Sequence, residues 1–152
     1  RDFAPTEVKI DELLQEFAIV LKGTALLHNV EIQLECGEEM PSLRADKNKL
    51  FQVFMNIANN AIEAMENGGK LIISAALKNN KEVVITFKDT GPGIPQKILR
   101  RLGTPFLTTK EQGTGLGLLI SSRIIQNHKG RLILENLAEG GAAVSVILPL
   151  TS

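Results

Sequence analysis

The chain has 152 residues, 43% of them hydrophobic and 22% charged, which suffices for one buried core and is ordinary for a globular domain. Lysine plus arginine equals aspartate plus glutamate at 17 each, so no general electrostatic pull toward nucleic acid or a membrane surface is expected. Cys36 is the single cysteine, which excludes an internal disulfide and suits a reducing cytosol, and no apolar run approaches the length of a membrane span.

The opening Arg1-Asp2-Phe3-Ala4-Pro5 has no signal-peptide core and no initiating Met, and it reads as a cut from a longer protein in which a membrane anchor has room upstream. With no repeat, low-complexity tract or linker, residues 1–152 read as a single domain. Helical spacing of Leu13, Leu14, Phe17, Leu21 and Ala25 predicts a helix over 11–28. Alternation predicts a strand over 30–36, with Cys36 as a small buried strand residue. Asp46 is placed to cap a helix that runs to about Glu66 and stops at Asn67-Gly68-Gly69. Strands are predicted at 70–77 and 82–88, joined by a turn at Asn79-Asn80-Lys81.

Residues 89–115 are broken by repeated glycine and proline, and irregular stretches of that length are usually functional or disordered. Pro95 can open a short helix through Leu102 within it. A helix over 116–128 and strands over 131–137 and 143–148 close the chain. The fold class that follows is α/β, a two-layer sandwich whose mixed, mostly antiparallel sheet carries about three helices on one face.

Three segments carry chemistry. In the helix after Asp46, apolar residues at 50, 53, 54, 57, 58, 61, 62 and 65 form an unbroken core stripe, flanked by a polar stripe of Asn56, Asn60 and Glu63. Asn56, Asn59 and Asn60 are poor helix formers, each costing roughly 0.5 kcal/mol against alanine. A polar face with one structural hydrogen bond is the plainer reading. The sharper one is that neutral amide oxygens face a ligand, where they can bind Mg²⁺ without adding charge beside phosphates. Asp89-Thr90-Gly91-Pro92-Gly93-Ile94-Pro95 ends a strand, and by itself is a turn signal. It also holds an acceptor-only carboxylate beside glycines that leave room for a flat ligand, a pairing suited to the exocyclic amine of adenine. Gly113-Thr114-Gly115-Leu116-Gly117-Leu118 opens a helix whose first backbone N–H groups suit an anion; it is neither a P-loop nor a dinucleotide fingerprint.

The order of these segments, with Pro105-Phe106-Leu107-Thr108-Thr109-Lys110 between the last two, resembles the N, G1, F and G2 boxes of bacterial sensor histidine kinases. Their catalytic domain belongs to the GHKL, or Bergerat-fold, ATP-binding superfamily. The likeness covers nearly the whole chain, and Asn59-Asn60-Ala61-Ile62-Glu63-Ala64-Met65 looks most like sporulation sensor kinases of bacilli. The resemblance implies ATP and Mg²⁺ as ligands, Asn60 on the metal and Asn56 beside it. It implies Asp89 on the adenine amine with Gly91 and Gly93 under the base. Glu63, Ile94, Thr109, Lys110, Gly113, Thr114, Gly115, Leu116, Gly117 and Leu118 are implied as further nucleotide-binding positions, and 96–114 as a lid over the nucleotide.

Two departures matter. Hydrolysing members of the superfamily place a water-activating glutamate where Asn56 stands, and an amide has no useful basicity near neutral pH. The phosphoacceptor motif is absent: neither His28 nor His128 is followed by an acidic residue and a proline, and His128 reads as a helix-end cap in which an imidazolium favours the dipole. The implied activity is therefore transfer of the γ-phosphate of ATP to a histidine on a separate dimerisation domain, with a response regulator downstream, no nucleic acid, and a cytoplasmic position. The fragment is expected to be a monomer from a homodimeric parent. A serine kinase of the anti-sigma type and a non-catalytic, nucleotide-responsive docking module are the alternatives.

Overall fold

The computed structural model describes residues 3–36, 40–101 and 114–150. In chain order these form β1 (Thr6–Lys9), α1 (Ile10–Leu27), β2 (Val30–Glu35), β3 (Ser42–Ala45), α2 (Lys47–Ala64), β4 (Gly69–Lys78) and β5 (Glu82–Asp89). There follow α3 (Gln96–Arg101), α4 (Thr114–Asn127), β6 (Arg131–Asn136) and β7 (Ala142–Pro149). The main sheet has the order β2-β4-β5-β7-β6, with β2 parallel to β4 and every other pair antiparallel. β1 and β3 pair antiparallel as a separate ribbon.

Period-two alternation turns Leu71, Ile73 and Ala75 of β4 and Val83, Ile85 and Phe87 of β5 toward the helices, where all are buried. Helical spacing aims Leu13, Leu14, Phe17 and Leu21 of α1 and Leu50, Val53, Phe54, Ile57 and Ile62 of α2 at the same core. Phe17, Phe54 and Phe87 join the two layers. Phe54 lies 5.7 Å from Phe17 and 5.6 Å from Phe87, ring centre to ring centre. Such aromatic pairs contribute about 0.5–1.5 kcal/mol each beyond their buried area. Asn79 and Asn80 both take φ 56°, the left-handed pair that closes a tight hairpin between β4 and β5.

Helix and strand limits fall within a few residues of those expected; β5 runs on to include Asp89, and α4 begins at Thr114. The ribbon of β1 and β3 is new. Each strand is four residues long, too short for alternation to mark it, though Val8, Leu43 and Ala45 are buried. Cys36 is not a buried strand residue as expected. β2 ends at Glu35 opposite Ser74, and Cys36 lies half-buried just beyond. Burial, then the charge of Asp11, pushes its thiol above the ordinary value, which disfavours the thiolate.

His128 caps the end of α4 as expected, but it does so as a buried side chain with a second, long-range partner. Its Nδ1 donates to the Ile124 carbonyl at 2.8 Å, and its Nε2 accepts from the Asp46 backbone N–H at 3.0 Å. A backbone N–H can only donate, so Nε2 carries no proton. The Asp46 carboxylate meanwhile accepts from Lys49 N at 3.2 Å, capping α2, and from Ala4 N at 3.0 Å. Asp46 thus joins the first residues, the start of α2 and the end of α4. Chiefly the Ala4 N–H, against burial, holds its carboxyl below the usual carboxylate range.

Asp46→Ala is expected to lower unfolding free energy by about 1–3 kcal/mol in urea titration, since a cap and a second backbone partner are lost together. Because the folded state holds this carboxyl's pKa down, the difference from wild type is full above about pH 4 and shrinks as pH falls through the folded value. A difference independent of pH would refute the assignment.

Candidate functional site

Strand parity places Asp89 on the same face as Val83, Ile85 and Phe87, so its carboxylate enters the core edge instead of solvent. One oxygen, Oδ1, accepts from Gly91 N at 2.8 Å and from Ala142 N at 3.2 Å. The other, Oδ2, takes no part in either bond. The second donor reaches Asp89 only because residue 141 is glycine. Gly141 has φ 89°, and a Cβ there would run into the Asp89 carbonyl oxygen. Burial raises the pKa of Asp89, with the two backbone N–H bonds opposing the rise.

Across from Asp89 lies the polar stripe of α2. Asn60 carries a buried amide nitrogen, Nδ2, that has no hydrogen-bond partner among the described residues. One turn earlier, Asn56 Nδ2 donates to Ser121 Oγ of α4 at 3.3 Å, and Ser121 is fully buried. The first turns of α4 close on Asn60: a Cβ at Gly117 would stand 3.9 Å from Asn60 Nδ2. An orphaned buried polar atom costs about 1–3 kcal/mol, so its persistence points to a ligand that completes it.

Asp89 and Asn60 line one cavity of about 470 Å³, within the size range of small-molecule sites. Its apolar walls come from Ile57 and Ala61 of α2, Phe87 of β5, Leu118 of α4, Leu134 of β6 and Val144 of β7. Pro92, Gly93, Ile94 and Pro95 make the rim. Among the described residues, the ionisable groups on the lining are Glu63, Glu66 and Asp89, all acidic. A polyanion entering here needs a cation alongside it.

The structure therefore gathers Asn60, Glu63, Asp89, Gly93, Ile94 and Leu118 on one cavity, with Gly91 bonded to Asp89 and Gly117 facing Asn60. Asn56 is not on the cavity lining; its amide is used on Ser121. Thr114, Gly115 and Leu116 form the first turn of α4. Thr109, Lys110 and Gly113, with the whole Pro105–Lys110 segment, lie outside the described residues. Ser121, Asn136 and Gly141 belong to the site's framework without having been singled out for it in the sequence, because their partners are far away in the chain. His28 bonds Thr24 O on the surface, and His128 belongs to the Asp46 link.

Comparison with known proteins shows the family and the fold. The family model described as histidine kinase-, DNA gyrase B-, and HSP90-like ATPase matches residues 45–152. Sporulation kinases E and C of Bacillus subtilis (strain 168) are 38% and 43% identical over 95% of this chain, which spans only 20% and 34% of their lengths. The nucleotide-free catalytic domain of histidine kinase ThkA superposes with a TM-score of 0.85 at 32% identity, each chain covered in full. ThkA has also been solved in complex with the response regulator TrrA, where 98% of this chain matches 42% of that one with a TM-score of 0.81.

Asp89→Asn keeps an acceptor for the Gly91 and Ala142 N–H groups and removes the charge that burial disfavours. At neutral pH the ligand-free variant is expected to unfold at a higher temperature than the wild type. The folded pKa of Asp89 is raised, so its contribution is most favourable below the unfolded value of about 3.9 and is lost as pH rises through the folded one. The gap between variant and wild type should accordingly close on acidification. Calorimetry across pH checks this; a less stable variant at neutral pH would contradict it.

Proposed function

This chain belongs to the histidine kinase-, DNA gyrase B- and HSP90-like ATPase family, as a histidine-kinase catalytic domain, and from that premise we propose that it binds ATP with Mg²⁺ and donates the γ-phosphate to a histidine on a separate dimerisation domain. The observation that carries this reading is one cavity holding both the spare oxygen of Asp89 and Asn60, whose amide nitrogen has no partner among the described residues and, as a donor, suits a phosphate oxygen. Asp89 Oδ2, an acceptor only, takes a hydrogen bond from the exocyclic amine of adenine, whereas guanine presents a carbonyl there. Ile57, Phe87, Leu134 and Val144 supply apolar surface for the base. The backbone N–H groups of the first turn of α4 suit phosphate oxygens.

Asn60 would hold Mg²⁺ through its amide oxygen, and the ion's charge offsets that of the phosphates beside an acidic lining. The residues of the chain then do the positioning on which phosphoryl transfer depends. Asn56 cannot serve as a general base, and its bond to Ser121 fixes the spacing of α2 and α4 instead. Water is thereby left without an activating group at that position, and the γ-phosphate is kept for a nucleophile brought by another domain. A response regulator acting downstream, a homodimeric parent and a cytoplasmic position for this domain complete the proposal.

Asn60→Ala is expected to abolish the Mg²⁺-dependent part of ATP binding in isothermal titration without lowering the unfolding temperature, since the orphaned nitrogen is removed with the side chain. Asp89→Asn should weaken ATP by about 1–3 kcal/mol. Incubated with ATP and a separately made histidine-bearing dimerisation domain, the unmodified chain should yield acid-labile phosphate on that partner. Acid-stable phosphate would indicate a serine acceptor, and tight ATP binding without any transfer would leave only a docking role.

A further inference from the structure

The cavity rim from Pro92 to Pro95 is irregular backbone that belongs to no sheet ladder. Its two prolines have no N–H, so Gly93 and Ile94 supply the only backbone donors there. Asn136, the last residue of β6, reaches across to it. The Oδ1 of Asn136 accepts from Ile94 N at 2.7 Å, and its Nδ2 donates to Ile94 O at 3.0 Å. These are the two bonds that a facing residue in an antiparallel strand would exchange with Ile94, so the side-chain amide stands in for a strand. The fit is close: Gly93 has φ 94°, and a Cβ on it would come within 2.9 Å of Asn136 Oδ1.

Asn136 does not itself line the cavity, and it is exposed, so its two bonds contribute little to the core. Leu134, two residues earlier on the same face of β6, does line it. One strand therefore provides both an apolar wall and the clasp that holds the rim against it. We infer that Asn136 is a positioning residue for the nucleoside end of the ligand, holding Gly93 and Ile94 in the binding shape before the ligand arrives. Without the clasp, ordering of the rim is charged to binding. The inference rests on the ATP reading given above.

The test uses the full chain with Asn136→Ala and Asn136→Asp. ADP affinity is measured by titration with and without Mg²⁺, alongside the unfolding temperature of the free protein. Asn136→Ala should weaken ADP about tenfold in both conditions, leaving the ratio between them and the unfolding temperature unchanged. Asn136→Asp keeps the acceptor for Ile94 N but sets an oxygen against Ile94 O, so it should lose at least as much. Unchanged ADP affinity in both variants would overturn the inference, as would a loss confined to the Mg²⁺ condition or one that accompanies a general loss of stability. If the unsubstituted chain binds no ADP, the ATP reading itself fails, and that result is distinct from a failure of the variants alone.

Discussion

Two backbone N–H groups converge on one oxygen of Asp89, and much of the site's shape follows from that convergence. They come from the turn directly after β5 and from the first residue of β7, so the carboxylate sits at the core edge with backbone donors for partners. The arrangement dictates where β7 begins, demands glycine at 141 and leaves the second oxygen unspent. Burial still disfavours the charge, as the upward pull on its pKa indicates. A carboxylate kept there at a cost in stability is what a recognition group looks like, since a buried fold-stabilising position would be better filled by a neutral side chain.

The opposite wall depends on how α4 lies on α2. The two helices run antiparallel, and polar contacts mark both ends of the pair. Near the end of α2, Asn56 meets Ser121 and Gly117 faces Asn60. At its start, the N–H of Asp46 donates to His128 past the end of α4. Satisfied buried polar pairs of this kind specify one arrangement of helices where apolar packing alone would tolerate sliding. They hold the first turn of α4 against an Asn60 amide nitrogen that has no partner among the described residues, at the edge of the cavity.

Much of this was legible in the amino-acid order because it is local. The stripe from Leu50 to Met65 announced α2, Asp46 its cap, and Asn79-Asn80 the hairpin, and alternation through Val83, Ile85 and Phe87 led directly to Asp89. What stayed hidden was long-range. His128 and Asp46 are separated by 82 positions, Asn56 and Ser121 by 65, and Asn136 and Ile94 by 42. No spacing rule links such residues, and each has an ordinary local explanation as a helix-end histidine, a helix serine or a strand-end asparagine. The ribbon of β1 and β3 escaped for another reason: four residues give alternation too little room to register.

The account's central claim is that an acceptor-only carboxylate and a neutral amide in one acidic cavity select an adenine nucleotide carried with a divalent cation. Parallel titrations of the unmodified chain with ATP and GTP, each with Mg²⁺ and with chelator, test it most directly. The account predicts measurable ATP binding that Mg²⁺ strengthens, with GTP weaker by at least tenfold because its carbonyl faces Asp89. Equal affinity for the two nucleotides, or ATP binding indifferent to the cation, would contradict it.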